Sequence, residues 1–407
     1  MDRITRLRIE NVRACERVEL EISPFTVLIG ENGSGKSTIV EALELLRKAA
    51  EPSFFQQFYA VHRGMAGLLR KGAAALTLGV VIEDDEGTLP RIEYDFSLAA
   101  QEGGAVVSSE RCLLGESVML RRSGARGEVS SAPNRDEFKP LPPEMLALDR
   151  LVIASFGVQP PDSTFGRLLA VLRGVEVHLN FDTVAAWAAR SYQFALSMRG
   201  SVTLQPVDRL ALLGFNLANA WWSLKNADTK HWQHTMDLVR LGLGEAIDSV
   251  NVVPDAAGGN VALAIKRTDL VEPIPAANLS DGQLSWLAFV ALAQLNSKRS
   301  LLAIDEPELH LHPSLLGRVI SMLASLKGAP IIVATHSDRV LEVIEDPASA
   351  VRVCSLGAGG AVSIAHVDAE LLPRWLAEFG DLAQLRASGY LDRVLVPVQG
   401  RRDGSGA

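Results

Sequence analysis

"GENGSGKST", residues Gly30 to Thr38, decides how the rest of this sequence is read. It satisfies the pattern G-x-x-x-x-G-K-[ST]. Before it stands the apolar run "FTVLIG", and after it "KSTIVEALELLRKAA", with Ile39, Ala42, Leu43 and Leu46 at helical spacing. Strand, glycine-rich turn and helix in that order make an anion cradle. Glycines let the backbone wrap around phosphates, so that successive N–H groups and the positive helix end face the charge. Gly30, Glu31, Asn32, Gly33, Ser34, Gly35, Lys36, Ser37 and Thr38 are therefore expected to line ATP. Lys36 would reach the β- and γ-phosphates, and the Ser37 hydroxyl would meet Mg²⁺.

Three later stretches complete a nucleotide-hydrolysing set. "SLLAIDEPELHLHP" is an apolar strand ending at Asp305, a carboxylate placed to hold Mg²⁺, and Glu306 follows as a general base for the attacking water. "IIVATHS" is a second strand, with His336 at its tip, where an imidazole can hydrogen-bond the γ-phosphate. "NLSDGQLSW", Asn278 to Trp286, puts Ser280 and Gly282 at the start of a helix, a second anion-binding end. Two such ends do not readily enclose one ATP from the same face of one subunit. A head-to-tail homodimer solves this, each Ser280–Gly282 turn closing the partner's ATP.

Outward from these motifs, "ITRLRIENVRACERVELEIS" alternates as two paired strands. From about residue 73 a period of two returns, with a hairpin tip at Asp84-Asp85-Glu86-Gly87 and further short strands to about residue 122. "SSAPNRDEFKPLPPE", Ser130 to Glu144, reads as a linker, and 163–246 as mainly helical. Runs 248–254 and 261–267 suit a hairpin. From 281 onward helices and strands alternate, which points to a parallel sheet with covering helices. The tail "QGRRDGSGA" reads as disordered.

The 407 residues are 48% hydrophobic and 22% charged, as in a soluble globular protein of one large or two ordinary domains. No apolar run approaches the roughly 18 residues of a membrane span. The N-terminus is charged from residue 2, so no signal peptide is expected. Cys15, Cys112 and Cys354 are widely spaced, which suits a reducing cytoplasm and offers no metal-ligand spacing. A net charge of −8 disfavours a chain that coats nucleic acid. "LRRSGARGE", with Arg121, Arg122 and Arg126, lacks interleaved aromatics and reads as a solvated loop.

The motif set resembles the ABC-type P-loop ATPases, and within them the RecF/SMC/OLD-like branch rather than transporters. The opening "ITRLRIENVRACERVELEI" looks like that branch's first strands. "DEPELHLHP" is similar to its extended Walker B, and the gap from Lys36 to Ser280 exceeds a transporter cassette's. "LSDGQLSWLAFVALAQL" followed by "LLAIDEPELHLHP" looks closest to stand-alone bacterial AAA-family predicted ATPases of the OLD-like kind. The match is dense at 1–48 and 279–340.

The resemblance implies an α/β fold, a P-loop NTPase of ABC-ATPase type with a β-hairpin subdomain and a helical signature lobe. The expected segments are 1–130, carrying Walker A and the β-subdomain, and 131–298, a helical lobe ending in the signature. Next would come 299–370, carrying Walker B and the His switch, and 371–407, an extension and tail. Lys36, Ser37, Asp305, Glu306 and His336 would form the cis half-site, with Ser280 and Gly282 acting in trans. Arg13 matches the branch's N-x-R position near the nucleotide, a surface arginine being the alternative. The family's Q-loop glutamine, a metal contact, would be Gln159, with Gln56 and Gln57 as competitors.

ATP binding and hydrolysis would drive homodimerisation, a switch for a separately encoded effector in bacterial, including antiviral, defence. The alternative is a RecF/SMC-like DNA-repair ATPase that binds DNA directly, with DNA or RNA as a candidate partner. Many OLD-like proteins append a Toprim nuclease. Only about 70 residues follow His336 and no Asp-x-Asp pair occurs, so cleavage is expected from another polypeptide. His310 with His312, and His231 with His234, lack a third ligand and read as structural. Asn216 to Trp222 reads as a packed helix.

Overall fold

The computed structural model describes residues 2–101, 104–130, 133, 137–184, 197–254, 259–295, 297–357 and 359–397. Strands β1 (Asp2–Val12) and β2 (Cys15–Glu21) pair antiparallel across a tight turn in which Arg13 takes φ 49°. β3 (Phe25–Ile29) runs into the glycine-rich turn, and α1 (Lys36–Ala49) leaves it, as expected. After α2 (Phe54–His62) come β4 (Ala75–Asp84), β5 (Ile92–Gln101), β6 (Gly104–Leu114), β7 (Ser117–Ser123), β8 (Arg126–Ser130) and β9 (Phe138–Pro140). They extend the first pair into an eight-stranded antiparallel sheet in the order β2-β1-β4-β5-β6-β7-β8-β9.

This sheet corrects two expectations. The proline-rich run taken as a linker contains β9, and Leu141 N donates to Gly127 O at 2.9 Å while Leu141 and Leu146 are buried. Two apolar anchors therefore hold it to the sheet, so the first sheet continues past residue 130. Residues 131, 132 and 134–136 of that run lie outside the described residues. "LRRSGARGE" is strand rather than solvated loop. Arg122 is buried and donates to the carbonyls of Gly124, Leu146, Ala147 and Arg150, stitching the following segment to the sheet. Arg121 pairs with Glu128 and lies over the Phe138 ring.

The second half supplies α3 (Thr164–Arg173), β10 (Val175–His178), β11 (Val202–Thr203), α4 (Leu217–Lys225) and α5 (Thr229–Leu243). A hairpin of β12 (Ile247–Pro254) and β13 (Asn260–Arg267) follows, as the sequence suggests, with β14 (Ile274–Pro275) beside it. Then come α6 (Asp281–Gln294), β15 (Leu301–Asp305), α7 (Pro313–Ala324), β16 (Ile331–Thr335), β17 (Val351–Leu356) and β18 (Val362–Val367). The helix expected between β16 and β17 is a 3₁₀ segment (Asp338–Val343) and a single turn (Pro347–Ala350). α8 (Leu372–Phe379), α9 (Leu382–Ala387) and β19 (Leu395–Pro397) close the described chain. The run "QGRRDGSGA" lies outside the described residues.

A seven-stranded sheet, ordered β10-β15-β16-β3-β17-β18-β19, is parallel from β10 to β17 and antiparallel beyond. β10 thus belongs to this sheet, although it falls inside the segment expected to form the helical lobe. Its inward polar residues hid it. Glu176 Oε1 meets His178 Nε2 at 2.9 Å, and Glu176 Oε2 meets Ser297 Oγ at 3.0 Å and Arg299 Nε at 3.3 Å, so both Glu176 oxygens are satisfied inside the protein, while His178 Nδ1 is left without a partner.

Side chains alternate across the sheet, as a period of two requires. Leu28, Leu301, Ala303, Ile332 and Ala334 enter one core with Ile39, Leu43 and Leu46 of α1 and Ile9 and Phe96 of the antiparallel sheet. Val27, Ile29, Leu302, Ile304, Ile331 and Val333 enter the other with Leu284, Leu287 and Val290 of α6 and Leu316 and Val319 of α7. Each fully buried aliphatic side chain is worth about 1.5–3 kcal/mol. Among the described residues no helix is long and apolar enough to cross a membrane.

Candidate active site

The glycine-rich turn is held by close backbone approach. A Cβ on Gly30 would stand 2.1 Å from Cys354 O, and Gly35, at φ 94°, would meet Val362 Cγ2 at 2.4 Å. Only glycine fits either place. Lys36 is buried, and its Nζ donates to Gly30 O at 2.8 Å, Glu31 O at 3.0 Å and Ser34 Oγ at 3.4 Å. Its ammonium therefore spans the cradle from within. Ser37 is exposed on the first turn of α1, and Thr38 is buried. Arg13 is engaged one turn further along: Nη2 donates to Glu41 Oε1 at 3.0 Å and Nε to Gly67 O at 3.1 Å.

Asp305 ends β15, two strands from β3 through β16. Its carboxyl is raised above the usual range by burial, with Glu306 and Glu308 acting in the same sense and Ser37 and Lys36 opposing. Glu306 follows at φ 51°, a left-handed conformation costing about 1–3 kcal/mol, while its N–H donates to Ala334 O at 2.7 Å. Its carboxylate is partly exposed, 3.8 Å from His336 Nδ1.

A third carboxylate, not picked out from the sequence, organises this rim. Glu308 Oε1 accepts from Thr335 Oγ1 at 2.7 Å and from His336 N at 3.0 Å, and lies 3.1 Å from His336 Nδ1. The second glutamate of "DEPE", two residues past Glu306, was the available signal.

Ser280 caps α6 in a reciprocal capping box. Its Oγ accepts from Gln283 N at 3.3 Å, and Gln283 Oε1 accepts from Ser280 N at 2.9 Å. Gly282 faces the Walker B turn, where an added Cβ would sit 3.3 Å from His310 O. His310 itself takes φ 64°, with Nδ1 3.8 Å from Asp281 Oδ2. His312 Nδ1 caps α7, accepting from Ser314 N, and His231 Nε2 lies 2.9 Å from Gln294 O, so both have structural partners. Asn216 precedes the packed helix α4, in which Trp221 is buried edge-on to Trp232.

Gln159 does not join this set. It lies in the loop before α3, with its amide donating to Phe156 O at 2.7 Å. The adjoining Pro160 carbonyl crowds Gly166, and Arg167 pairs with Asp2 at the far end of β1. The other end of β1 leads to Ala14, whose carbonyl accepts from Val362 N beside Gly35. An eleven-residue strand separates the two places, roughly 30 Å at about 3.3 Å per residue. Gln57 is tied to Glu51 and Ser53 on α2, and Gln56 is exposed there. The strand bordering β15 is instead β10. His178 pairs with Ile304, so the chain leaves β10 alongside Asp305, and Asn180 is the first carboxamide past that end. Ligands of parallel sheets gather at such carboxyl ends.

Comparison with known proteins supports an ATPase of this fold. Residues 3–96 match a family described as "AAA ATPase domain", and residues 238–342 one described as "AAA domain, putative AbiEii toxin, Type IV TA system". The OLD nuclease of Thermus scotoductus is 23% identical over 348 residues, covering 82% of this chain and 59% of that protein. The Old nuclease of Escherichia phage P2 is 22% identical over 369 residues, covering 86% and 59%. The chain thus spans 59% of the length of each. An SMC head bound to the C-winged helix domain of ScpA superposes with a TM-score of 0.53 at 14% identity, over 91% of this chain and 99% of that one. An Smc head with an extended coiled coil bound to the C-terminal domain of ScpA, from Pyrococcus furiosus, gives 0.51 at 14% identity, over 93% and 99%. With the phosphate loop, the strand-end acids and the capped end of α6 on one scaffold, the chain carries AAA-type ATPase segments on a fold like that of SMC heads and is similar in sequence to OLD nucleases.

Proposed function

We propose that this ATPase works as a head-to-tail homodimer that closes around two ATP molecules and reopens after hydrolysis, switching a separately encoded effector. One observation carries the reading. α1 and α6 pack in different cores on opposite faces of the seven-stranded sheet, so the anion-binding ends of the two helices cannot converge on one nucleotide within a subunit. Two-fold pairing brings each α6 end to the partner's phosphates.

In each half-site Lys36 and the turn amides bind the β- and γ-phosphates, and Glu306 accepts the proton of the attacking water. Glu308 takes Nδ1 of His336, which leaves Nε2 as the ring nitrogen for substrate. Ser37 and Asp305 fit a divalent cation, since Asp305 Oδ1 is buried without a hydrogen-bond partner, and Asn180 is the carboxamide that would join them. Such a cation, Mg²⁺ when bound, neutralises phosphate charge.

The match to a putative AbiEii toxin of a type IV TA system supports a role in a toxin module, and the resemblance to OLD-like ATPases implies one in defence against phage. Direct DNA binding of the repair type is the competing output, and the structural use of Arg121 and Arg122 weighs against it.

The test is affinity purification of Glu306→Gln from its native host with Mg·ATP, against a Lys36→Ala control. A stoichiometric protein held only by Glu306→Gln is the expected result. Retained DNA or RNA without such a protein would replace this reading with the repair one.

A further inference from the structure

We propose that Arg199 sets the geometry of the signature turn, and that it therefore acts on the ATP bound by the partner subunit and not on its own. This rests on the head-to-tail reading above.

Arg199 lies about eighty residues before the signature, and its side chain is only 5% exposed. Each of its three side-chain nitrogens donates to a partner. Nε donates to Thr183 O at 3.0 Å. Nη1 reaches the carbonyls of Ala276 (3.1 Å), Ala277 (3.1 Å) and Leu279 (2.5 Å), and Nη2 reaches Asp281 Oδ1 at 2.6 Å. Of the five acceptors, three belong to the turn that delivers the chain to Ser280, one is the first residue of α6, and Thr183 lies beyond β10. One planar cation therefore fixes both the path into the cap and the orientation of the helix end.

The placement is costly for the fold by itself. A guanidinium loses hydration on burial, and the N-terminal end of a helix is already positive. Asp281, half exposed, offsets only part of this. A buried cation behind an anion-binding helix end is explained by the shape it imposes there and the positive potential it adds. Four of its five contacts lie with the turn into α6 and its first residue, on the face away from α1, and the fifth is to Thr183 O beyond β10, so the larger part of its grip bears on the signature and not on the phosphate loop of the same subunit.

Subunit mixing tests this directly. Arg199→Lys and Asp281→Asn are each assayed alone and mixed equally with Lys36→Ala, beside a control pair of Ser280→Arg with Lys36→Ala. Thermal unfolding checks that each variant folds. Asp281→Asn, altering a half-exposed side chain, carries the test if Arg199→Lys does not fold. Alone, each Arg199 or Asp281 variant should lose at least about tenfold in ATP turnover while single-subunit ATP affinity stays within about twofold. Mixed with Lys36→Ala, turnover should return to about a quarter of wild type, since half the dimers are mixed and each holds one intact composite site. If the control pair recovers turnover and the Arg199 or Asp281 mixtures do not, Arg199 acts in cis and the proposal is wrong. If the control pair does not recover either, the composite-site reading falls and takes this proposal with it.

Discussion

His336 Nδ1 stands 3.1 Å from Glu308 Oε1, closer than the 3.8 Å that separates it from Glu306 Oε1. The same Glu308 oxygen also takes the His336 amide and the Thr335 hydroxyl, so ring and backbone are fixed by one buried carboxylate. Glu306 is left partly exposed and unencumbered for water. Glu308→Ala should lower kcat for ATP roughly 10- to 100-fold, the usual effect of losing a group that orients a site residue. ATP affinity should change little. Steady-state hydrolysis paired with equilibrium nucleotide binding checks this, and an equal loss of both would show that Glu308 merely supports the fold.

Glu306 holds a left-handed conformation at φ 51° that glycine adopts freely. Glu306→Gly should therefore raise stability by about 1 kcal/mol in urea unfolding while hydrolysis is lost. Glu306→Gln keeps the strain and should lose roughly 10²–10⁴ in turnover with nucleotide still bound. Wild-type turnover in Glu306→Gln would remove the general-base assignment.

Gly30 admits no side chain because Cys354 O would stand 2.1 Å from the new Cβ. β3 and β17 would have to separate, at a cost of about 1–3 kcal/mol. Gly30→Ala should thus lower the melting temperature and weaken ATP binding together, whereas Lys36→Ala should abolish binding with a smaller thermal effect. Differential scanning calorimetry with nucleotide titration distinguishes the two patterns.

Glu176 gives a pH signature. Burial alone would raise its carboxyl, yet the bonds and charges of His178, Arg299 and Ser297 together hold it below its ordinary value. A depressed folded pKa means the unfolded chain binds the proton more readily. The associated stability is present above the unfolded value of about 4.3 and is lost as pH falls through the folded one. Glu176→Gln should cost about 3–5 kcal/mol at neutral pH by leaving Arg299 without its carboxylate, and should flatten the acid limb of a urea-unfolding series. An unchanged acid limb would rule out this linkage.

Much of the candidate nucleotide site was legible because each part combines an apolar strand with a residue type that serves few other purposes there. β3 before Gly30, β15 before Asp305 and β16 before His336 are unbroken apolar runs, and the structure puts them side by side. The alternation from residue 281 gave the parallel sheet for the same reason. β10 was hidden because Glu176 and His178 interrupt its pattern, and Glu176, which holds His178, is itself met by Arg299 and Ser297 some 120 residues away. β9 was masked by prolines that sit at the sheet's margin. Gln159 was chosen by residue type, but a strand end next to Asp305 is a matter of sheet order, which spacing along the chain does not encode. Arg199 and Glu308 went unseen because their roles are written in what they touch.

The alternation along β15 has a consequence for how such a protein can change. Leu301 and Ala303 answer to the side that carries the phosphate loop, and Leu302 and Ile304 to the side that carries the signature helix. Neighbouring letters of one short strand thus belong to two separately adjustable surfaces. Drift in one set retunes the packing beneath the phosphate loop, and drift in the other the packing beneath α6. In the proposed dimer, a lineage could thereby alter partnership while leaving the nucleotide grip intact, one alternate residue at a time.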